Sequence, residues 1–185
     1  MNLVNGKPSS SISIFDRGFL YGDSVFETIL VLDKKPKNID LHLKRLKLGC
    51  NKLKINNLDY KLLSKYIKKA LSDVNNCILS ISVTRGTAIK RGYNINLANN
   101  PNIIITTSKI PKYPKEFSNK GIKTKFSKTD LMNNERLSQI KHSNRIEQIH
   151  ASKEITKSFP ELILCDPKGF VVEGISSNIF FVKKI

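Results

Sequence analysis

Between Ser24 and Ser108 the hydrophobic pattern switches from strand-like to helix-like and back, which restricts the chain to folds that layer helices on a sheet. Ser24–Leu32, Cys77–Thr84 and Asn102–Ser108 are short runs rich in Ile and Val, set off by Gly, Pro and Asn as strands are. After the first, the turn-rich Asp33-Lys34-Lys35-Pro36 precedes Asp40–Leu53, where apolar residues recur at Leu43, Leu46, Cys50 and Leu53. Tyr60–Val74 repeats that spacing through Leu63, Tyr66, Ile67, Ala70, Leu71 and Val74. Each stretch puts one apolar face opposite a row of lysines, the pattern of a helix lying on a core. Ser11–Phe15 reads as one more strand. The fold class expected is α/β (α+β).

Pro111 and Pro114 break both periods in Lys109–Lys115, so a linker is expected at 109–115, after an N-terminal α/β domain at 1–108. Residues 116–185 then form a second domain. In it Gly121–Lys128 reads as a strand and Asn144–Lys157 as a helix. Glu161–Cys165 and Phe170–Glu173 read as a hairpin about Asp166-Pro167-Lys168-Gly169, and Asn178–Val182 as a last strand. A domain of about seventy residues is small, which suggests that this one is incomplete.

A net charge of +17 raises the question of nucleic acid. The lysines are spread through every segment, and no RNP-like aromatic motif, helix-turn-helix pattern or zinc knuckle accompanies them, so no nucleic-acid partner is expected. A positive field favours small anionic substrates instead. Met1–Ser13 carries no apolar run of signal-peptide length and no segment approaches the ~18 apolar residues of a membrane span, so a cytoplasmic protein with no membrane partner is expected. Cys50, Cys77 and Cys165 are odd in number and widely spaced, which indicates reduced thiols. His42, His142 and His150 show no ligand spacing, and no metal is expected.

Five motifs carry the chemistry. They are Asp16-Arg17-Gly18-Phe19-Leu20-Tyr21-Gly22-Asp23, running into Phe26-Glu27-Thr28; Leu41-His42-Leu43-Lys44-Arg45-Leu46; Thr84-Arg85-Gly86 with Arg91-Gly92-Tyr93; Lys141-His142-Ser143-Asn144-Arg145-Ile146-Glu147-Gln148; and Val172-Glu173-Gly174 before Ser177-Asn178. Taken singly, the first is a pair of turns with glycines at positive φ, and the others are surface or strand residues. Taken together, in this order and spacing over essentially the whole chain, they resemble the class IV fold of pyridoxal-phosphate enzymes. That family includes branched-chain aminotransferases, D-amino-acid aminotransferases and aminodeoxychorismate lyases.

The resemblance implies a role for each residue. Lys141 would link covalently to the aldehyde of pyridoxal 5'-phosphate and later act as general base and acid. Glu173 would sit against the pyridine nitrogen and keep it protonated. Arg45 would reach the cofactor phosphate, which suits a bidentate fork. Arg91 matches the position that reads the substrate carboxylate, but the loop before it is one residue longer than in the lyases, so Arg85 stands as the alternative. Thr28 is a candidate for proton delivery near the substrate, and Ser176 for cofactor packing.

Within the family the first motif resembles the lyase or D-amino-acid branch, and the segment around Lys141 looks most like the lyases. Phe26 stands where D-amino-acid aminotransferases carry a tyrosine that helps hold the substrate carboxylate, and a hydrogen bond to a charged group contributes about 1.5–3 kcal/mol. The expected reaction is therefore the conversion of 4-amino-4-deoxychorismate to 4-aminobenzoate and pyruvate, a step of folate biosynthesis. An aminotransferase of the same fold is the second reading, and an inactive fragment or basic binding protein the third. The resemblance also implies a homodimer, and a C-terminal domain shortened by the loss of a Gly-rich phosphate-binding turn.

Overall fold

The structure, a computed structural model, describes residues 1–132 and 134–183. It begins with β1 (Asn2–Val4) and β2 (Lys7–Pro8), a tight hairpin whose turn places Asn5 and Gly6 at φ +50° and +74°. Two consecutive positive φ values match the twist of flanking strands, and Asn-Gly is the pair that adopts them most readily. Ser11–Phe15, expected as a strand, is instead irregular chain and a turn leading into α1 (Arg17–Tyr21). Its alternation is present, but Ile12, Ile14 and Phe15 are exposed, and among the described residues the segment joins no ladder. Gly18, read as a turn glycine, lies inside α1; Gly22 is the residue that ends it in the left-handed region at φ +64°.

The strand β3 (Ser24–Leu32) is followed by the two-residue β4 (Lys35–Pro36), then by α2 (Ile39–Leu53), α3 (Tyr60–Ala70), β5 (Cys77–Thr84) and β6 (Asn102–Ser108). The bounds of β3, β5 and β6 coincide with the sequence expectation. The helices stop where chemistry stops them. Lys54 closes α2 in the left-handed region, and α3 starts on Asp59, whose carboxylate accepts from the N–H groups of Lys61 and Leu62. The six strands form an antiparallel sheet in the order β2-β1-β6-β5-β3-β4.

One face of that sheet is the core. Val25, Ile29 and Val31 of β3 share it with Leu79, Ile81 and Val83 of β5 and with Ile103 and Ile105 of β6. Leu46 and Cys50 of α2 and Leu63, Ile67 and Ala70 of α3 cover it. Each fully buried Leu or Ile contributes about 1.5–3 kcal/mol, so the helices are held chiefly by this stripe. Cys50 and Cys77 are buried within it, and burial pushes the Cys50 thiol up to about 11, so it packs as a small apolar group. The opposite face carries Phe26, Thr28 and Leu30, which are more exposed.

The chain divides into two compact units, Met1–Pro111 with Gln139–Asn144, and Lys112–Ser138 with Arg145–Ile185. The division departs from a simple cut after residue 115, because residues 139–144 belong with the first unit. In the second, α4 (Lys115–Lys120) begins inside the expected linker, and β7 (Thr124–Phe126) is the core of the longer strand expected there. The helix expected over Asn144–Lys157 is reduced to α5 (Ile146–Ala151) and one 3-10 turn, Asn144 being tied into the first unit by a 3.4 Å bond from its amide to the Gly22 carbonyl. β8 (Glu161–Cys165) pairs parallel with β7 and antiparallel with β9 (Val171–Gly174) across the expected turn. Residues 178–182, expected as a strand, form none: Phe180, Phe181 and Val182 are 87%, 78% and 94% exposed and meet no ladder among the described residues.

Two acids, the buried Asp16 and the part-buried Asp23, hold the first motif in place. Asp16 caps α1 through Gly18 N–H at 2.7 Å and accepts from the Thr84 hydroxyl and the Asn102 amide at 2.8 and 2.7 Å. Asp23 accepts from Arg17 and from both Nε and Nη2 of Arg85 at 2.7–2.9 Å. Burial raises the Asp23 pKa, but the hydrogen bonds from Arg85 and then Arg17 outweigh it and hold the carboxyl below its ordinary value.

Two outcomes follow. Gly86 sits at φ +106°, and a Cβ there would lie 1.9 Å from the Asn100 carbonyl oxygen, so Gly86→Ala is expected to cost on the order of 3 kcal/mol in a urea titration. Because the folded pKa of Asp23 is depressed, its contribution is complete above the ordinary carboxylate range of about 4 and disappears as pH falls through the lower folded value. Asp23→Asn leaves two buried guanidinium groups without their carboxylate, so at neutral pH it should cost about 3–5 kcal/mol. The gap to the parent protein, read from denaturant titrations at stepped pH, should narrow progressively below about pH 4.

Candidate active site

Lys141 is placed by a strip of backbone along β3. The Phe26 N–H donates to the Lys141 carbonyl at 2.9 Å, Val25 forms a bridge with His142, and the Ser143 N–H donates to the Ser24 carbonyl at 3.1 Å. The Ser24 and Ser143 hydroxyls add a 2.6 Å bond, and Lys52 of α2 donates to the Gln139 side chain. Antiparallel pairing aligns side chains across the bridge, so Lys141 falls on the Phe26 and Thr28 face. Its Nζ stands 4.6 Å from the centre of the Phe26 ring, within cation–π range. Lys141, Phe26 and Thr28, three of the expected site residues, are therefore on one face of one strand region.

Arg45 lies on α2 and reaches the other face of β3. Its Nε and Nη2 donate to Glu27 Oε1 and Oε2 at 2.7 and 2.6 Å, and His42 Nδ1 lies 2.7 Å from Oε2. Glu27 is 0% exposed, whereas the Arg45 side chain is 47% exposed. Arg45, Glu27 and His42 thus form one cluster, of which only Arg45 is a candidate on sequence grounds. A signal existed: in Val25-Phe26-Glu27-Thr28-Ile29, the acid occupies the inward phase of a strand, where a charge requires a partner.

The two arginines considered for a substrate carboxylate differ sharply. Arg85 is 5% exposed and donates to Asp23, to the Lys54 carbonyl and to the Leu53 carbonyl at 2.7 Å, so its fork is committed to holding the end of α2 against the first motif. Arg91 is exposed. It stands beside the Tyr21 hydroxyl, whose pKa is lowered by the Gly92 N–H first and by Arg91 after it. Arg17, buried, donates to the carbonyls of Gly92 and Tyr93 at 2.7 and 3.3 Å and packs against the Tyr21 ring, which fixes the loop that carries Arg91.

In the second unit Glu173 is on β9. Gln148 of α5 donates to its Oε1 at 2.8 Å, and Arg145 Nη1 lies 3.6 Å from the same oxygen. Ser176 is exposed and its hydroxyl donates to Glu161 Oε2 at 3.1 Å, beside Ser177 at 2.6 Å. Burial raises the Glu161 pKa, but the Ser177 hydroxyl, with the Leu162 and Ile175 N–H groups and Ser176, holds it below the usual range. Among the described residues, no group of three or more His, Cys, Asp and Glu side chains could hold a metal, and no helix is long and apolar enough to cross a membrane.

Known proteins resemble this chain over nearly its whole length. An aminodeoxychorismate lyase of Vibrio harveyi is 27% identical over 181 residues, 97% of this chain and 66% of its own length. The crystal structure of 4-amino-4-deoxychorismate lyase from Pseudomonas aeruginosa superposes with a TM-score of 0.90 at 32% identity, over 95% of this chain and 65% of that one. A branched-chain aminotransferase of Escherichia coli shares the fold, with a TM-score of 0.75 at 18% identity, over 94% of this chain and 62% of its own. The chain thus spans slightly less than two thirds of the length of these relatives. The cofactor of this group is pyridoxal phosphate, and a PLP-bound form is among the similar structures. The model of the class IV aminotransferases matches residues 24–184, and the chain belongs to that family.

Proposed function

We propose that this protein is a pyridoxal-phosphate-dependent lyase that converts 4-amino-4-deoxychorismate to 4-aminobenzoate and pyruvate. The residues present suit the cofactor. Lys141 offers a primary amine placed by backbone pairing rather than by a mobile loop, and Arg45 offers a part-exposed guanidinium. When bound, pyridoxal phosphate supplies an electron-poor ring that accepts the electron pair left when the substrate carbon loses its proton.

Lys141 is the residue assigned to the aldehyde. It would then take the proton from the substrate carbon bearing nitrogen and pass a proton to the methylene carbon of the departing enolpyruvate, whose C–O bond to the ring breaks as the ring becomes aromatic, and the Phe26 ring beside Nζ would set the direction of approach. Arg45 binds the phosphate. Glu173 would hold the proton on the ring nitrogen of the bound cofactor, and Gln148, donating to its Oε1 at 2.8 Å, would help fix the carboxylate plane. Arg91, exposed beside Tyr21, reads the substrate carboxylate, in preference to Arg85, whose donors are taken. Thr28, outward on β3, is assigned to proton relay, and Ser176, whose hydroxyl donates to Glu161, to cofactor packing. The net charge of +17 draws the anionic substrate in. The protein is taken to work as a cytoplasmic homodimer.

Phe26 carries the choice of lyase. Beside Lys141 it presents a ring without a hydroxyl, which favours an aromatising substrate over a carboxylate held by a phenol. A transaminase with the same lysine is the second reading, supported by a branched-chain-amino-acid aminotransferase-like protein of Arabidopsis thaliana that is 29% identical over 187 residues. Purified protein supplied with pyridoxal phosphate and aminodeoxychorismate should release 4-aminobenzoate and pyruvate in equal amounts, and Lys141→Ala should lower the rate by more than about a hundredfold. Transfer of an amino group from a D- or branched-chain amino acid, with no 4-aminobenzoate formed, would overturn the lyase reading.

A further inference from the structure

We infer that Glu27 is a positioning residue for the cofactor phosphate: buried in the sheet, it turns the Arg45 guanidinium so that the end of the fork, rather than its side, is presented to an anion. The inference deepens the reading above and rests on Arg45 binding phosphate.

A guanidinium carries five N–H groups. Glu27 takes them side-on, Nε to Oε1 and Nη2 to Oε2, which leaves the outer edge made by Nη1 and the second N–H of Nη2 directed away from the carboxylate. That edge has the spacing of two phosphate oxygens. A half-exposed arginine on a helix would otherwise sample many rotamers, and anchoring it in advance removes that loss from the binding step. The anchor is itself immobile. Glu27 pairs with Ile81 in the middle of the antiparallel ladder, is fully buried, and has its Oε2 shared with His42 of α2 one helical turn before Arg45.

The arrangement has an electrostatic cost, since the carboxylate cancels part of the positive field that an anion would feel. That cost separates the two possible roles. If Glu27 merely neutralises Arg45 within the fold, removing its charge strengthens phosphate binding. If it orients the fork, removing it weakens binding, because the amide of a glutamine offers one acceptor and a donor where two acceptors stood.

The experiment titrates the purified protein with pyridoxal phosphate and, separately, with pyridoxal, which lacks the phosphate, and follows Lys141-dependent absorbance. Glu27→Gln should raise the Kd for pyridoxal phosphate about tenfold while leaving that for pyridoxal within about twofold. Unchanged or tighter binding of pyridoxal phosphate, or equal losses for both aldehydes, would overturn the inference. Arg45→Lys keeps the charge at an exposed position but loses the fork, and Arg45→Ala loses both. Should Glu27→Gln not fold, Arg45→Lys decides: a phosphate-selective loss close to that of Arg45→Ala supports the inference, and wild-type discrimination sinks it. Arg45→Ala without effect on either aldehyde would instead remove the reading that Arg45 holds the phosphate.

Discussion

The register of β3 is the constraint on which the first unit depends. Strand side chains alternate strictly, so a single strand from Ser24 to Leu32 supplies the core with Val25, Ile29 and Val31 and supplies the site with Phe26 and Thr28. A slip by one residue would expose the apolar set and bury the other. The same register drives Glu27 into the core phase, where Arg45 and His42 of α2 meet it. One strand thereby fixes an amine-bearing segment along its backbone and a phosphate-binding candidate through a buried acid.

Charge inside the fold follows one rule. The chain is strongly basic, yet its buried arginines, Arg17 and Arg85, share Asp23, and Arg45 leans on Glu27. Two buried guanidinium groups sharing one part-buried carboxylate are costly to separate from it and give direction rather than net stability. Here the direction is visible: Asp23 gathers the turn after α1, the start of β5's outgoing loop and the end of α2 at one point. The Asp16-Arg17-Gly18-Phe19 motif is a scaffold of this kind, with Asp16 held by the Thr84 hydroxyl and the Asn102 amide.

Much of this was legible in the residues. The three long strands and both helices of the first unit follow from hydrophobic period alone, because each buries one face on one continuous core. The Asn5-Gly6 pair signals its hairpin equally well, whereas Ser11–Phe15 alternates like a strand but has no partner ladder among the described residues. Glu27 could have been singled out as an acid in an apolar phase. The late start of α5 could not, since Asn144 donates to the Gly22 carbonyl, far away in sequence, and a helix start has no local sign of such a contact.

Composition and periodicity by themselves determined the fold class and the length of the main strands, and motif order the family resemblance from which Lys141, Glu173 and Arg45 are proposed as amine, carboxylate and guanidinium, because these depend on local side-chain chemistry and on spacing along the chain. Tertiary structure alone decided which arginine is spent and which is open, that residues 139–144 return to the edge of β3, and that Glu27 anchors Arg45. Those outcomes depend on hydrogen bonds between residues tens of positions apart, and a donor's availability is set by its partners in space rather than by its neighbours in sequence.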